Sequence, residues 1–420
     1  MKRWWWLMAG MTIWMAAVQA QSEFPYKIAV KPLAIEGMPG IHSYAVGTHQ
    51  GKWLILGGRL DGIHARQPFN AFPASQRNDR IWVVDPAAGR VWSQSLTALP
   101  LPLRDHWQSS NINFRQVGSV LYLVGGYGFS DQYADHRTFP VLSAIDLPEM
   151  IEAVERGGNL QDHAAFVSDP AFAVTGGQLG YLNGELYLVG GHQFDGRYNP
   201  HGPDHGPGFR QEYTNQVRRF VVRKQGAELT YTLKEPLVDP VHLHRRDYNL
   251  LPIIDEDGER GWLISSGVFQ VQADLPYLYP VEIRKDDVKA ITDFSQYLSH
   301  YHCAKANLYD PQTRQMHTLF FGGLSQFYYD GTLLVQDDQV PFVRTISRLT
   351  RQPDGSYEEH TLEGEMPGFK GTSAEFLPKY GLTAEDDVIA MQAFEQDSIL
   401  LGHVVGGINS TARNPFQTNQ

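Results

Sequence analysis

Ser119–Gly126 reads SVLYLVGG, a run of apolar and β-prone residues that ends in a glycine pair. The phrase returns as KWLILGG (Lys52–Gly58), ELYLVGG (Glu185–Gly191), HTLFFGG (His317–Gly323) and GHVVGG (Gly402–Gly407), with a weaker copy, WLISSG, at Trp262–Gly267. Alternating strand residues followed by a turn, repeated along the chain, are the mark of a repeat architecture. Each unit of such a chain buries its apolar face only against its neighbours, so the 420 residues read as one domain rather than several.

The first copy shows what surrounds the phrase. His42–Val46 precedes it as a short strand, Trp53–Leu56 is the phrase itself, and Arg80–Asp85 (RIWVVD) and Arg90–Ser95 (RVWSQS) follow. Pro86–Gly89 (PAAG) makes a tight turn between the last two, where proline and glycine set the required backbone angles. Four antiparallel strands in this order form one blade of a propeller, with the first strand innermost. The expected fold is therefore all-β, a six-bladed propeller of four-stranded antiparallel blades.

The glycine pair, the long loop after it and the strand carrying Trp82, with Trp92 beyond, resemble the kelch motif of galactose-oxidase-like β-propellers. The resemblance covers nearly all of the chain after the first twenty residues. It is loose in spacing, with about fifty-five to eighty-five residues between glycine pairs against roughly fifty for a compact kelch unit. Insertions at Arg59–Asn78, Gly191–Asn215 and Leu324–Pro341 account for the excess, together with LPEMIEAVERG (Leu147–Gly157), which reads as a short surface helix. Tyr26–Pro32 (YKIAVKP) reads as a lone strand closing the ring on the last blade. That blade, near Thr372–Gly407, runs out about one strand early, so it is either short or incomplete.

Residues 1–20 have the form of a secretory leader: Lys2 and Arg3, an apolar stretch from Trp4 to Val18, and small residues before Gln21. The propeller is then residues 21–420, expected in the periplasm or outside the cell. Without Lys2 and Arg3 the formal charge of −11 becomes about −13. An acidic chain is a poor partner for nucleic acid or anionic lipid, and no later stretch is long and apolar enough to span a bilayer. Cys303 is the single cysteine, so no disulfide forms within the chain and stability rests on the core.

Side chains alternate along a strand, and innermost strands line a propeller's channel. Aligned on Val46, Phe114, Leu179, Leu250, Leu308 and Phe376, the preceding residues are Ala45, Asn113, Gln178, Asn249, Asn307 and Glu375. Two positions earlier come Ser43, Asn111, Gly176, Asp247, Lys305 and Ser373, and two earlier again Arg245 and Cys303 in the fourth and fifth units. The amides are suited to tying blades together around water. Charged members gain little from burial alone, which points Asp247, Lys305 and Glu375 toward a ligand or a proton transfer. Asn111, Asn113, Gln178, Arg245, Asn249 and Asn307 complete the expected ligand-binding set.

Two classes of function stay open. One is an exported binding protein that takes a glycan or other small polar ligand at the channel mouth, or a protein partner on its insertion loops. The other follows from similarity to exported six-bladed kelch sugar isomerases such as sialate mutarotases, which implies Glu375 as general base and Lys305 or Arg245 as the group orienting an acidic sugar. Tyr301, His302 and Cys303 supply ingredients of a copper-radical oxidase, but that family has seven blades and a further domain. His192, His201 and His205 on one insertion match no metal-ligand spacing. The residues call for no cofactor: there is no phosphate-binding glycine loop, no G-x-S-x-G elbow and no CxxC pair.

Overall fold

The computed structural model describes residues 24–65, 68–199, 206, 208–382, 387–394, 396 and 398–415. The expected leader, His201 and His205 lie outside them. The protein is mainly β, with strand at 48% and helix at 9%.

Each glycine-pair phrase is the second strand of an antiparallel sheet, as its alternation of β-branched and aromatic residues favours. In the first unit the order is His42–His49, Lys52–Arg59, Arg80–Asp85, Arg90–Ser95. The second unit runs Asn113–Val117, Val120–Val124, Val141–Asp146, Ala164–Ser168, and the third Gln178–Leu182, Glu185–Val189, Gln216–Gln225, Glu228–Leu233. The fourth is Asn249–Ile254, Arg260–Ser265, Val281–Ile283, Val288–Ala290 and the fifth Lys305–Asp310, Gln315–Leu324, Phe342–Arg351, Tyr357–Glu365. Among the described residues the sixth has two strands, Ala374–Pro378 and Gly402–Gly406.

Core clusters join these sheets in succession. Leu54 and Val83 pack with Leu123 and Ile145; Leu142 with Leu188 and Phe220; Tyr187 with Leu250 and Ile264; Leu263 with Phe320 and Leu349; Phe321 with Ala374 and Ile389. The last cluster returns to the start, placing Leu377 and Val405 of the sixth unit against Tyr44, Val46 and Trp53 of the first. Full burial of such a side chain contributes roughly 1.5–3 kcal/mol, so every sheet depends on both neighbours. This succession is consistent with a propeller-like arrangement.

The glycine pairs are steric necessities. Gly125 has φ +70° and a Cβ there would sit 1.8 Å from the Val174 carbonyl oxygen, where no side chain fits. The turn brings one unit's second strand onto the next unit's entrance, Gly126 N–H donating to Val174 O at 3.0 Å.

Three segments differ from the sequence expectation. Tyr26–Pro32 is not a strand; Phe24, Ile28 and Val30 instead pack as irregular chain on the core shared by the fifth and sixth units. Its backbone runs beside Gly364, and Lys27 pairs with exposed Glu363 at 2.8 Å. The insertion after Gly191 carries strands His192–Gly196 and Phe209–Tyr213, which join Tyr127–Ser130 and Asp135–Thr138 in a further four-stranded sheet. The Leu324–Pro341 insertion folds as the hairpin Phe327–Asp330 with Leu333–Gln336. The expected helix is present at Leu147–Arg156, stopped by Gly157 in the left-handed region and burying Leu147, Met150, Ile151, Ala153 and Val154.

Candidate functional site

Where the innermost strands begin, Ser43, Asn111, Gly176, Asp247 and Ser373 have φ between +51° and +66°. Small or short polar residues tolerate this conformation best. Their backbones link around a ring. Ser43 N–H donates to Ser373 O (3.1 Å), Asn111 N–H to Ser43 O (3.0 Å), Asp247 N–H to Gly176 O (2.7 Å), His302 N–H to Asp247 O (2.7 Å) and Ser373 N–H to His302 O (3.0 Å). The remaining junction is made by Thr175, whose hydroxyl donates to Asn111 O at 3.2 Å.

The fifth member of this ring is His302, not Lys305. The turn at Asp310–Gln315 sets the register, with Asp310 opposite Gln315 and Lys305 opposite Phe320. Phe321 N–H then reaches Ala304 O, so Ala304 is the counterpart of Asn113 and Gln178. Aligning the fifth unit on Leu308 displaces it by three residues, an odd slip that exchanges the strand's two faces, because the polar pair Lys305 and Asn307 imitates Asn111 and Asn113 three residues too late. Centring on the DPQT turn locates His302 correctly, and that signal is in the sequence.

Inside the ring lies a cavity of about 120 Å³ whose walls include Asn111, Asn113, Gln178, Asp247, Lys305 and Glu375, with Ser43 and His302 beside them. A water molecule needs about 10–15 Å³ by this measure, so several waters or a small molecule fit. The opposite end carries Arg115, held over the Trp262 ring at 5.1 Å and donating to Asp387 at 2.7 Å.

The expected site residues divide into two groups. Arg245, Asn249 and Asn307 do not line the cavity. Arg245 is fully buried between Tyr277 and Tyr279, with its guanidinium 4.0 and 4.6 Å from the ring centres, and donates to Ser266 O and Tyr279 O. Asn249 donates to Tyr301 O and accepts from Cys303 N–H, stitching the fourth unit to the fifth. Asn307 accepts from Thr318 within its own sheet. Asn113 and Gln178 reach the cavity wall but spend their amides on Val124 O, Val174 O and Tyr248 O. By contrast, Asn111 and Lys305 line the cavity with side chains that make no hydrogen bond among the described residues.

The charged groups are mutually arranged. His302 Nε2 lies 3.0 Å from Glu375 Oε1. Burial opposes ionisation of Glu375, yet attraction to His302 and Lys305 outweighs it and holds the carboxyl below its ordinary value. Asp247 goes the other way: burial raises it despite Arg246, His302 and His64. Two carboxyls with opposite tendencies on one cavity can divide proton-accepting and proton-donating roles.

Cys303 is buried and its thiol is pushed up to about 12, chiefly by burial, which makes it a small core residue rather than a nucleophile. Among the described residues, the one grouping of three potential metal ligands is Asp255, Asp257 and Glu259 at a surface turn. There Asp255 is already paired with Arg284 and Arg351 at 2.6 Å. Among the described residues, no group of potential copper ligands gathers at the cavity.

Compared with protein-family models the chain matches none, and no curated protein matches it in sequence.

Proposed function

We propose that this chain is a six-bladed kelch-type β-propeller that binds a small polyhydroxylated ligand, a carbohydrate or a close chemical equivalent, in the cavity within its inner ring. One observation carries the reading: Asn111, Asp247, Lys305 and Glu375 converge from four units on a single cavity, and the Asn111 and Lys305 side chains have their hydrogen-bonding capacity unspent. Both side chains are half-buried on the cavity wall, and a ligand rich in hydroxyls can pair with them there. A protein partner on the insertions is the weaker reading, because the described strands of the Gly191–Asn215 insertion are already paired with each other and with Asp135–Thr138.

The test is a thermal-shift screen against neutral sugars, acidic sugars and divalent metals, run beside Lys305→Met and Glu375→Gln. A ligand at a hundred times its dissociation constant adds roughly 2.7 kcal/mol. A sugar-dependent shift that vanishes in both variants supports the cavity site. No shift with any sugar, in protein that is folded and cooperative, overturns it.

A second reading, an enzyme acting on such a ligand, is favoured by the 3.0 Å approach of His302 to Glu375. An imidazole beside a carboxylate on a cavity wall can pass a proton to and from a hydroxyl group. A kcat, measured at saturating ligand, that falls in both Glu375→Gln and His302→Gln beyond any loss of affinity supports this reading.

A further inference from the structure

A second chain of polar side chains approaches the cavity through the first unit. Arg59 holds Asp61 in a two-pronged pair, Nε to Oδ1 at 2.9 Å and Nη2 to Oδ2 at 2.7 Å. Asp61 Oδ1 faces His42 Nε2 at 3.9 Å, and His42 Nδ1 is 3.0 Å from Ser43 Oγ. Arg59, His42 and Ser43 are 4%, 6% and 9% exposed, and Ser43 is part of the cavity wall. The 3.9 Å gap between Asp61 and His42 is longer than a hydrogen bond, and His42 Nε2 is buried with no hydrogen-bond partner among the described residues; a carboxylate on its side still favours the proton on that nitrogen, which leaves the Nδ1 lone pair to accept from the serine hydroxyl. This is the order nucleophile, base and orienting group that activates a hydroxyl.

We propose that Ser43 is a nucleophile activated by His42 and oriented through Asp61, and that the cavity hydrolyses small O-acyl esters of polar alcohols. Ser43 Oγ bonds to the acyl carbon while its proton passes to His42 Nδ1. The ester C–O bond breaks, and the departing alkoxide takes that proton from His42. Water then attacks the acyl-serine, giving one proton to His42, which returns it to Ser43 as the carboxylic acid leaves. Lys305 and Asn111, on the same cavity with their donors unspent, are placed to receive the negative charge that develops on the acyl oxygen. Arg59 and His42 overcome the burial of Asp61 and hold its carboxyl down at about 2, so it stays ionised through the cycle. This inference rests on the same cavity as the sugar-binding reading and shares Lys305 and Asn111 with it; Glu375→Gln tests that reading and Ser43 variants test this one, so their failures are distinguishable.

The experiment is labelling of the full chain with a fluorophosphonate, read by intact mass and peptide mapping. The informative variant is Ser43→Gly, which removes the hydroxyl and keeps the left-handed backbone that glycine adopts freely. The expected result is a single adduct on Ser43, absent in Ser43→Gly and in urea-unfolded protein, and formed at least tenfold more slowly in His42→Gln and Asp61→Asn. Hydrolysis of p-nitrophenyl acetate should fall with the same variants. No adduct on Ser43 in folded protein, or labelling of equal rate in His42→Gln, overturns the proposal.

Discussion

His302 and Glu375 meet across the junction of the fifth and sixth units, Nε2 to Oε1 at 3.0 Å, with side chains only 18% and 12% exposed. The pair explains how a carboxyl this deep remains ionised. Its folded value is depressed, so its stabilisation is present above the ordinary glutamate range and is lost as pH falls through the lower folded value. Glu375→Gln should therefore cost about 1–3 kcal/mol at neutral pH, with the deficit shrinking as pH drops below about 4.5. Urea unfolding midpoints of both proteins across pH 3–7 check this; a deficit that grows on acidification contradicts it.

The glycine pairs predict a sharp contrast. At Gly125 a methyl group would meet the Val174 carbonyl at 1.8 Å, whereas at Gly89, φ +62°, it would meet nothing within 4 Å. Gly125→Ala should destabilise by more than about 3 kcal/mol, because backbone strain and a clash with the next unit act together. Gly89→Ala should lose only about 1–2 kcal/mol, the left-handed conformation alone. Thermal unfolding of the two variants separates steric from conformational cost.

The repeat was legible because its signal is local. A strand of alternating residues ending in glycine pairs marks each unit, and the backbone ring and the shared clusters, closing with Leu377 and Val405 on Trp53, follow that order. Asp247 and Glu375 were legible from alternation alone. His302 was not, since the polar pair Lys305 and Asn307 imitates Asn111 and Asn113 three residues too late, and only the turn at Asp310 corrects the register. Arg245 was misleading for a different reason: a cation read on the channel face is in fact taken up by Tyr277 and Tyr279, rings more than thirty residues away in sequence. His42, Asp61 and Arg59 escaped notice because their link depends on the chain after Gly58 folding back, which no periodicity records.

Arg245 provides a test of that distinction. Its guanidinium donates to buried Ser266 O and half-buried Tyr279 O at 2.7 Å and stacks between two tyrosines. Arg245→Met should leave Ser266 O and Tyr279 O without this donor and cost at least about 2 kcal/mol. Any ligand dissociation constant found in the screen should stay within about twofold, as expected for a side chain remote from the ligand. A folded Arg245→Met protein that has lost ligand binding would place the arginine in the site after all.

Acid should weaken the protein through its buried histidines. His106 is fully buried, with Nδ1 at 2.8 Å from Gly125 O and Nε2 at 3.1 Å from Ser143 Oγ, and burial depresses it to about 4. His300, also fully buried, is depressed to about 4 for the same reason. A histidine depressed in the folded state is protonated first in the unfolded chain, so stability is full above about pH 6.5 and declines as pH falls from there toward 4. A displacement of this size corresponds to roughly 3 kcal/mol per group. The melting temperature should fall steadily between pH 6.5 and 4, and His106→Gln, though less stable at pH 7, should show a flatter dependence. Equal slopes for wild type and variant would mean that His106 takes no part in the acid transition.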